Sequence, residues 1–403
     1  MHVGIDIEQF VRDPYGSGIQ RVLQQLALHW PTDLGADFVV PMGAEFGLLT
    51  PAQAGELLSI PFAAREGDGD GVRAGDLRAA VSSRIDEFAP QRVKAGDLLA
   101  IYDAWLLPEV SYLPGVLTRF ESMHRCLPTT MIGYDTLPMS EPANYRFRPG
   151  TAAWVSRYFR LLATTDAVVC ISDYARDSIL GRLRRDPSLP ISVAHPGGDH
   201  VSLSHSAGQQ PSTSPETGPE TPLKPRFLRL GTLEARKRPQ ELLAAFRGAV
   251  DRGLSAELVF VGEGSASAET INADLRAAVD AGIGVSWVQG ASDPEVRDLV
   301  AGSDAFLSLG VEGYGIPVLE AIRVGTPVLF DGIQPAAELM VGKGAQRLDA
   351  GGAEVDVQRL ANALTAFALP GALAELRGEV DPDAVPTWHR FAVSVADAVG
   401  REI

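Results

Sequence analysis

The segment AFLSLGVEGYGIPVLEAIRVG, residues 305–325, decides the fold class because a buried strand leads straight into a helix within it. Ala305–Leu309 is a short apolar run of the kind that forms a strand covered on both faces. Pro317 suits the first turn of a helix, where its missing N–H would have had no partner. The segment therefore predicts a helix that begins near Ile316 and presents free N–H groups and a positive dipole end to an anion.

Two carboxylates flank this predicted anion pocket. Glu312 lies on the loop before the helix, and Glu320 is expected in its first turn. Gly313 and Gly315 let the backbone approach a ligand closely. Carboxylates beside a diphosphate can accept hydrogen bonds from sugar hydroxyls. A helix with a proline start and an acidic first turn explains the same pattern equally well.

A second segment, LGTLEARKRPQELLAAF at residues 230–246, predicts a strand that ends at Gly231 and a helix that begins near Pro239. Arg236 and Lys237 lie in the loop at the carboxyl end of that strand. A guanidinium and an ammonium at such a point can neutralise a diphosphate. A solvated basic turn is the alternative, and this segment alone favours the alternative.

Short apolar, β-branched runs alternate with helical patterns along the whole chain. This alternation predicts an α/β fold with parallel sheets covered by helices on both faces. Ligands of such doubly wound folds bind at the carboxyl ends of the strands. The predicted strands are Val3–Asp6, Phe38–Pro41, Leu98–Asp103, Thr129–Asp135, Asp166–Ser172, Ile191–His195, Phe227–Gly231, Leu258–Gly262, Gly284–Gly290, Ala305–Leu309 and Pro327–Phe330.

The length of 403 residues corresponds to two or three domains at roughly 150 residues each. The strand runs form two sets, separated by Leu203–Lys224, which is rich in Ser, Thr, Pro, Gly and Gln and is typical of a linker. We therefore predict two Rossmann-like domains that face each other across a ligand-binding cleft. They cover residues 1–202 and 225–385, with a linker at 203–224 and a final segment at 386–403.

Composition and charge exclude several classes of protein. The chain has 35 Lys and Arg against 51 Asp and Glu, a net charge of −16, which disfavours nucleic-acid binding because phosphates need a basic surface. There is no apolar run long enough to span a membrane and no signal-peptide pattern at the N-terminus. Cys126 and Cys170 form no CxxC motif, so a reducing compartment and cytoplasmic residence are expected.

Metal binding and cofactors have little support in the sequence. Asp68-Gly69-Asp70 spells a metal-binding DxD, but it lies in a Gly-rich polar loop with no apolar strand before it, and a solvated turn is the favoured interpretation. The histidines show no metal-binding spacing, and a structural role is expected for His195 at a strand end. We predict no metal and no cofactor.

Taken together, the motifs resemble glycosyltransferase family 4, retaining enzymes of the GT-B fold that use nucleotide sugars. Glu312 and Glu320 form its E-x7-E pattern, and GTLEARK resembles its phosphate-binding loop. Most of the chain takes part in this resemblance. The other similar segments are GSGIQR at 16–21, DAVVCISDYARDSI at 166–179, HPGGD at 195–199 and PTWHRFAVSVADAV at 386–399, which looks like the helix that crosses back to the N-terminal domain in this fold.

The resemblance implies roles for individual residues of the donor site. Glu320 would bind the nucleotide ribose, Glu312 the transferred sugar, and Arg236 with Lys237 the diphosphate. The glycine loop would approach the phosphates and the acceptor. In such enzymes the departing diphosphate itself takes the acceptor proton, so no dedicated protein base is required. The remaining donor-loop residues are Gly313, Tyr314, Gly315, Gly16 and Gly18.

The acceptor side departs from the family pattern. Tyr134-Asp135 stands where many relatives carry His-Asp, and tyrosine cannot replace the charge of imidazole near neutral pH. Either the acceptor contact differs, or Asp135 supplies it alone. Thr232 replaces an arginine of some relatives, which removes one phosphate contact. Asp103 and Trp105, expected at another strand end, would suit a sugar acceptor, although ordinary loop packing explains them equally well.

A basic stretch lies between Pro142 and Arg185, with eight arginines against three aspartates, a local net charge of +5. A basic face toward anionic lipid would give peripheral contact with the inner face of a membrane. A solvated helix surface is the other interpretation, and it is the favoured one.

The sequence thus predicts a retaining hexosyltransferase. A nucleotide diphosphate sugar, with GDP-mannose as the first guess from the resemblance, would donate the hexose to a glycan or lipid-linked acceptor in polysaccharide or glycoconjugate synthesis. The alternatives are a sugar-nucleotide epimerase of the same fold and a non-catalytic protein that binds nucleotide sugars. A dehydrogenase is disfavoured because no GxGxxG closes the first strand–helix turn.

Overall fold

The computed structural model describes residues 1–63, 74–142, 145, 150–201, 224–264, 269–352, 354–369 and 371–400. The chain forms two compact units: Met1–Gly197 with Pro386–Ile403 is unit 1, and Gly198–Val385 is unit 2. The predicted linker lies outside the described residues except for Lys224.

The described part of unit 1 has an eight-stranded sheet in the order β4-β3-β2-β1-β5-β6-β7-β8. The pairs on either side of β1 are parallel, whereas β3 runs antiparallel to both of its neighbours at one edge. The strands are β1 His2–Asp6, β2 Gly35–Met42, β3 Glu45–Leu49, β4 Gln91–Lys94, β5 Ala104–Leu107, β6 Thr129–Gly133, β7 Ala167–Cys170 and β8 Ile191–Val193.

Helices pack around this sheet because their apolar faces are buried against its strands. The helices of unit 1 are α1 Glu8–Arg12, α2 Gly18–Leu28, α3 Pro51–Ala63, α4 Ala74–Phe88, α5 Leu98–Ile101, α6 Pro114–His124, α7 Leu137–Ser140, α8 Ala152–Thr164, α9 Asp173–Leu183 and the C-terminal helix α17 Trp388–Gly400. In α17 the buried side chains of Trp388, Phe391 and Val395 recur at helical spacing. That face packs against α2 and the strands β5, β6 and β7 of unit 1.

The described part of unit 2 has a parallel six-stranded sheet in the order β11-β10-β9-β12-β13-β14. Its strands are β9 Arg226–Leu230, β10 Glu257–Val261, β11 Val285–Val288, β12 Ala305–Val311, β13 Val328–Ile333 and β14 Ala345–Arg347. Its helices are α10 Pro239–Val250, α11 Glu269–Asp280, α12 Asp293–Ala301, α13 Ile316–Arg323, α14 Pro335–Leu339, α15 Val357–Phe367 and α16 Ala372–Gly378. The fully buried runs of β9 and β12 explain why both were recognisable as strands.

One predicted strand is wrong. Leu98–Ile101 is a helical turn, and the strand starts only at Ala104. A short apolar run does not by its pattern distinguish a buried strand from a helix. In β5, the Trp105 ring fills the space that a side chain at Gly4 of β1 would take. The strands β3, β4 and β14 were missed.

Candidate functional site

The order of strands reverses between β9 and β12 in unit 2. From β9 the chain moves outward to β10 and β11, and it then returns to the other side of β9 to form β12. Two adjacent strands therefore send their loops in opposite directions, which opens a crevice at their carboxyl ends. The loop after β9 carries Arg236 and Lys237, and the loop after β12 carries Glu312.

Ion pairs join the two loops at this point. A carboxylate oxygen of Glu312 lies 2.8 Å from Nη1 of Arg236, and the other lies 2.8 Å from Nζ of Lys237. Arg236 also contacts Glu234 at 2.7 Å and donates to the Val311 carbonyl at 2.8 Å. The structure thus brings Glu312 together with Lys237 and with Arg236, which lies 76 positions before it in the sequence, and it adds Glu234, which the sequence analysis missed.

The two cations of this cluster determine the ionisation state of the Glu312 carboxylate. Burial by itself would raise the pKa of Glu312, but the charges of Lys237 and Arg236 and their hydrogen bonds outweigh it and lower the pKa to about 2. The carboxylate is therefore ionised at every physiological pH. An ionised acceptor that holds two cations in place preorganises them for a second anion.

Close backbone contact makes the two loops approach each other. Gly310 near the end of β12 has φ +82°, and a Cβ atom there would collide with the carbonyl oxygen of Arg236. Only glycine combines this left-handed conformation with the absence of a side chain. Gly310 is thus required for the crevice, and the sequence analysis did not single it out.

The predicted helix after β12 is confirmed, because α13 begins at Ile316. Gly315 precedes it with φ +106°, a conformation that favours glycine. Gly313 is buried, and Tyr314 is only 4% exposed, which raises the pKa of its hydroxyl. Glu320 is the fifth residue of the helix, so the expectation that it lies in the first turn is wrong, and it lies at the start of the second turn.

Glu320 has a partner that the sequence did not reveal. Its carboxylate lies 2.9 Å from Nε2 of His200, which belongs to unit 2 although it is 120 residues earlier in the chain. The His200 side chain is 10% exposed, and that of Glu320 is 27% exposed. The contact orients the carboxylate that the resemblance assigns to a ribose.

The glycine loop of unit 1 lies before α2. Gly16 has φ +70°, and its N–H donates to the side-chain oxygen of Gln20 at 2.8 Å. Ser17 caps α2 by accepting from the Gln20 N–H at 3.2 Å. Gly18 is the exposed first residue of α2, with open space where its side chain would be. The loop is therefore held by Gln20, which occupies the N–H of the buried Gly16, while Gly18 leaves the start of α2 exposed.

Tyr134 and Asp135 follow β6 at the carboxyl edge of the unit 1 sheet. Tyr134 is 6% exposed, and its hydroxyl donates to the Pro108 carbonyl at 2.8 Å. Asp135 accepts from the N–H of Leu137 at 2.9 Å and so closes the turn into α7. An acceptor contact by either residue stays a prediction. For Tyr134, the ring that would make this contact is largely buried.

Asp103 and Trp105 do not lie where the sequence placed them. Asp103 precedes β5 and accepts from the N–H of His2 at 2.7 Å, so it lies at the amino edge of the sheet, opposite the edge that carries Asp135. Trp105 is fully buried. The interpretation of these two residues as acceptor contacts is wrong, because the strand was predicted several residues too early. Asp103 was expected at the carboxyl end of that strand, whereas it precedes the amino end of β5.

A buried ionic cluster in unit 1 was also missed. Arg119 on α6 lies 2.9 Å from Glu8 and also pairs with Asp6 at the end of β1. Burial raises the pKa of Asp6 against the opposing effect of Arg119. Glu109, which accepts from the N–H of Phe10 at 2.9 Å, has its pKa raised to about 8 by burial. The cluster holds the segment after β1 against the start of α6.

Fewer arginines of the basic stretch are exposed at the surface than its net charge indicated. Arg185 is 3% exposed and donates to three backbone carbonyls, so it is not part of a surface. Arg157 pairs with Glu121, and Arg176 pairs with Asp173 and Asp177. The exposed members among the described residues are Arg160, Arg182 and Arg184.

Two further predictions concern metals and membranes. Asp68-Gly69-Asp70 lies outside the described residues, and the residues that are described contain no group of three side chains able to hold a metal ion. Within the same residues, no helix is long and apolar enough to cross a membrane.

Part of unit 2 is similar to a known protein family. Residues 215–366 match the family model of glycosyl transferases group 1. The matched segment is similar to this family over part of the chain. It contains both loops of the crevice, with Arg236, Lys237, Glu312 and Glu320.

The chain is also similar to curated proteins. The chain is 26% identical over 238 residues to the serotype-specific mannosyltransferase WbdA of Escherichia coli, a match that covers 56% of this chain and 29% of WbdA. The chain thus matches less than a third of the length of that relative.

Solved structures show the fold of the whole chain. Anabaena HepE, solved with UDP and glucose, superposes with a TM-score of 0.61 at 14% identity over all of both chains. A trehalose 6-phosphate synthase from Burkholderia multivorans gives a TM-score of 0.59 at 12% identity, covering 100% of this chain and 98% of the other. The chain has the GT-B fold, with two Rossmann-like domains, as the sequence predicted.

Proposed function

We propose that the protein is a retaining glycosyltransferase that moves a hexose from a nucleotide diphosphate sugar to a glycan or lipid-linked acceptor. The observation that carries this proposal is the Glu312–Arg236–Lys237 cluster at the point where the strand order of unit 2 reverses. Polysaccharide or glycoconjugate synthesis would use such a transfer. The match to the glycosyl transferases group 1 model and the mannosyltransferase name of WbdA support transfer over epimerisation.

The cluster is suited to exchange one anion for another. In the structure, Glu312 forms ion pairs with both cations. An incoming diphosphate carries more charge than one carboxylate and competes for Arg236 and Lys237. Glu312 then keeps acceptor oxygens available for sugar hydroxyls. Glu320, oriented by His200, is placed for the hydroxyls of the ribose.

Catalysis would rest on stabilising the leaving group. The acceptor oxygen bonds to the anomeric carbon as the bond from that carbon to the diphosphate oxygen breaks, and the acceptor proton passes to the departing diphosphate. Arg236 and Lys237 stabilise the negative charge that develops on this group. Attack from the face that the leaving group vacates retains the anomeric configuration, and no protein base is needed. The glycine loop at Gly16 and Gly18 would position phosphates and acceptor.

The names of the similar proteins indicate which donors to compare. Mannose follows the name of WbdA, whereas HepE was solved with UDP and glucose, so GDP-mannose and the UDP-hexoses are the donors to compare. On the acceptor side, Asp135 remains the candidate contact in unit 1. For membrane contact, the arginines at 160, 182 and 184 are the charges available, and a solvated surface accounts for them as well.

A donor panel tests the proposal. GDP-mannose, UDP-glucose and UDP-galactose are compared by thermal shift, since a ligand that binds the native state raises the apparent stability. The donor that binds is then incubated with acceptor oligosaccharides, and the anomer of the product is assigned by NMR. A retained α-linkage supports the proposal. Stoichiometric binding without transfer would indicate a binding protein, and a changed sugar without transfer would indicate an epimerase.

Paired variants locate the diphosphate site. Arg236→Ala with Lys237→Ala should weaken a nucleoside diphosphate at least roughly tenfold more than the matching monophosphate, because charged hydrogen bonds are lost. Arg226→Ala is the control, since Arg226 lies at the other end of β9 and pairs only at the surface with Glu257. Equal losses for both nucleotides would count against a diphosphate site.

A further inference from the structure

Arg229 is a buried cation that the function described above does not use. It lies on β9, two residues after Phe227, whose side chain is part of the core of unit 2. Alternate residues of a strand face the same side of the sheet, so Arg229 continues a core-facing row. Its exposure is only 3%. A charged side chain at such a position costs folding free energy unless its environment compensates for it.

The guanidinium holds the turn that begins the phosphate loop. It donates from Nη2 to the Thr232 carbonyl at 2.9 Å and from Nη1 to the Gly231 carbonyl. Gly231 has φ +112°, so this is the point where the chain leaves β9. Five residues later the same loop presents Arg236. Two charge-assisted hydrogen bonds to consecutive carbonyls fix the direction in which the loop leaves the sheet.

Arg229 also decides the net charge of the crevice. Burial lowers its pKa to about 10, and the carboxylates of Glu312 and Glu234 act against that effect, so the guanidinium stays charged near neutral pH. Three cations, the third being Arg229, then stand against two carboxylates. Without Arg229, the charges of Arg236 and Lys237 would be cancelled by Glu312 and Glu234.

We propose that Arg229 is a positioning residue for the phosphate loop and a buried counter-charge that keeps the ion-pair cluster of the two loops net positive toward a nucleoside diphosphate. The proposal rests on the proposed function, because it assigns Arg229 to the same donor site. A buried charge is screened by salt much less than a surface charge is. Arg229 therefore strengthens the field at the diphosphate without touching it, and the contribution persists at high ionic strength.

Two variants of Arg229 separate its charge from its packing. Arg229→Met keeps most of the side-chain volume and removes the charge and both hydrogen bonds. Arg229→Lys keeps a charge but loses the forked guanidinium that donates to two carbonyls. Arg226→Met is the matched control, because Arg226 belongs to the same strand and its ion pair with Glu257 is 43% and 42% exposed. Urea denaturation establishes which variants are folded.

Calorimetry measures GDP and UDP against GMP, UMP and the free nucleosides, at low and high salt. We expect Arg229→Met to weaken the preferred diphosphate roughly tenfold, as one unit charge acting over several ångströms in a partly buried site would. The nucleoside should be unaffected, and the control should behave as the wild type. Diphosphate affinity that is unchanged, or lost in parallel with nucleoside affinity, would overturn the proposal.

The lysine variant gives a readout that packing alone would not change. Burial lowers the pKa of a lysine, so Arg229→Lys should lose its charge as the pH rises. Its diphosphate affinity should therefore fall between pH 7 and pH 9 relative to the wild type. A pH profile identical to that of the wild type would refute the counter-charge, even if Arg229→Met does not fold.

Different results would refute the proposed function and the role of Arg229. Wild-type protein that binds none of the diphosphates refutes the proposed function, and the role of Arg229 falls with it. Wild-type protein that binds a diphosphate, with Arg229 variants that bind equally well at every pH, refutes only the role of Arg229.

Discussion

The ion pairs of Glu312 should make the stability of unit 2 depend on pH. Glu312→Gln removes the charge while it keeps the size of the side chain and one carbonyl acceptor. In the folded protein the pKa of Glu312 is lowered from 4.5 to about 2. Each pKa unit corresponds to about 1.36 kcal/mol, so the folded environment stabilises the carboxylate by about 3 kcal/mol. The side chain is 21% exposed, so solvent screens this contribution only in part.

The sign follows from the lowered pKa. The unfolded chain binds a proton more readily than the folded one, so the stabilisation is fully present above pH 4.5 and is lost as the pH falls toward 2. About half of it should be lost by pH 3. The free energy of unfolding should therefore differ by about 3 kcal/mol between wild type and Glu312→Gln at pH 7, and the difference should shrink steadily below pH 4.5.

Hydrogen exchange during urea denaturation measures this difference in the free energy of unfolding for unit 2. Peptides that cover β12 and α13 report the opening of unit 2 separately from that of unit 1. Glu257→Gln is the control, because its ion pair with Arg226 is exposed and contributes about 0–1 kcal/mol. A difference between wild type and Glu312→Gln that stays constant from pH 7 to pH 3 would refute the reasoning.

Two other predictions follow from the same crevice. Gly310→Ala should destabilise unit 2 by about 3 kcal/mol, because it adds a collision with the Arg236 carbonyl to an unfavourable φ. In urea denaturation, Gly181→Ala inside α9, where nothing lies near the added methyl group, should instead stabilise by about 0.5–1 kcal/mol, and similar values for both would contradict the close approach. Glu320→Ala should weaken a nucleoside and its diphosphate alike, on the order of tenfold, since a ribose contact is common to both. Unchanged nucleoside affinity by calorimetry would remove the ribose role of Glu320.

Local chemistry explains which parts of the site the sequence predicted. The glycines, the proline and the apolar run that flank Glu312 act within a few residues of one another, so the start of α13 at Ile316 could be predicted. The same holds for α10, which begins at Pro239. The order of charges along GTLEARK placed Arg236 and Lys237 at a strand end for the same reason.

Contacts between distant residues explain what the sequence analysis missed. His200 and Glu320 are 120 residues apart, and no local pattern joins them. Asp103 and Trp105 were assigned to the wrong edge because the apolar run Leu98–Ile101 forms a helical turn and the strand begins only at Ala104. Arg185 was counted as a surface charge, although three carbonyls hold it in the interior.

The sequence by itself determined the class of the fold, the identity of the two loops and the residue types that suit a diphosphate, because hydrophobic period, glycine and proline act locally. Only the tertiary structure decided that Glu312 is held by both cations, that Gly310 lets the loops meet and that Arg229 turns inward beneath them. These features depend on strand order and on burial. Both are set by the packing of the whole sheet, so they cannot be read from any one segment of the chain.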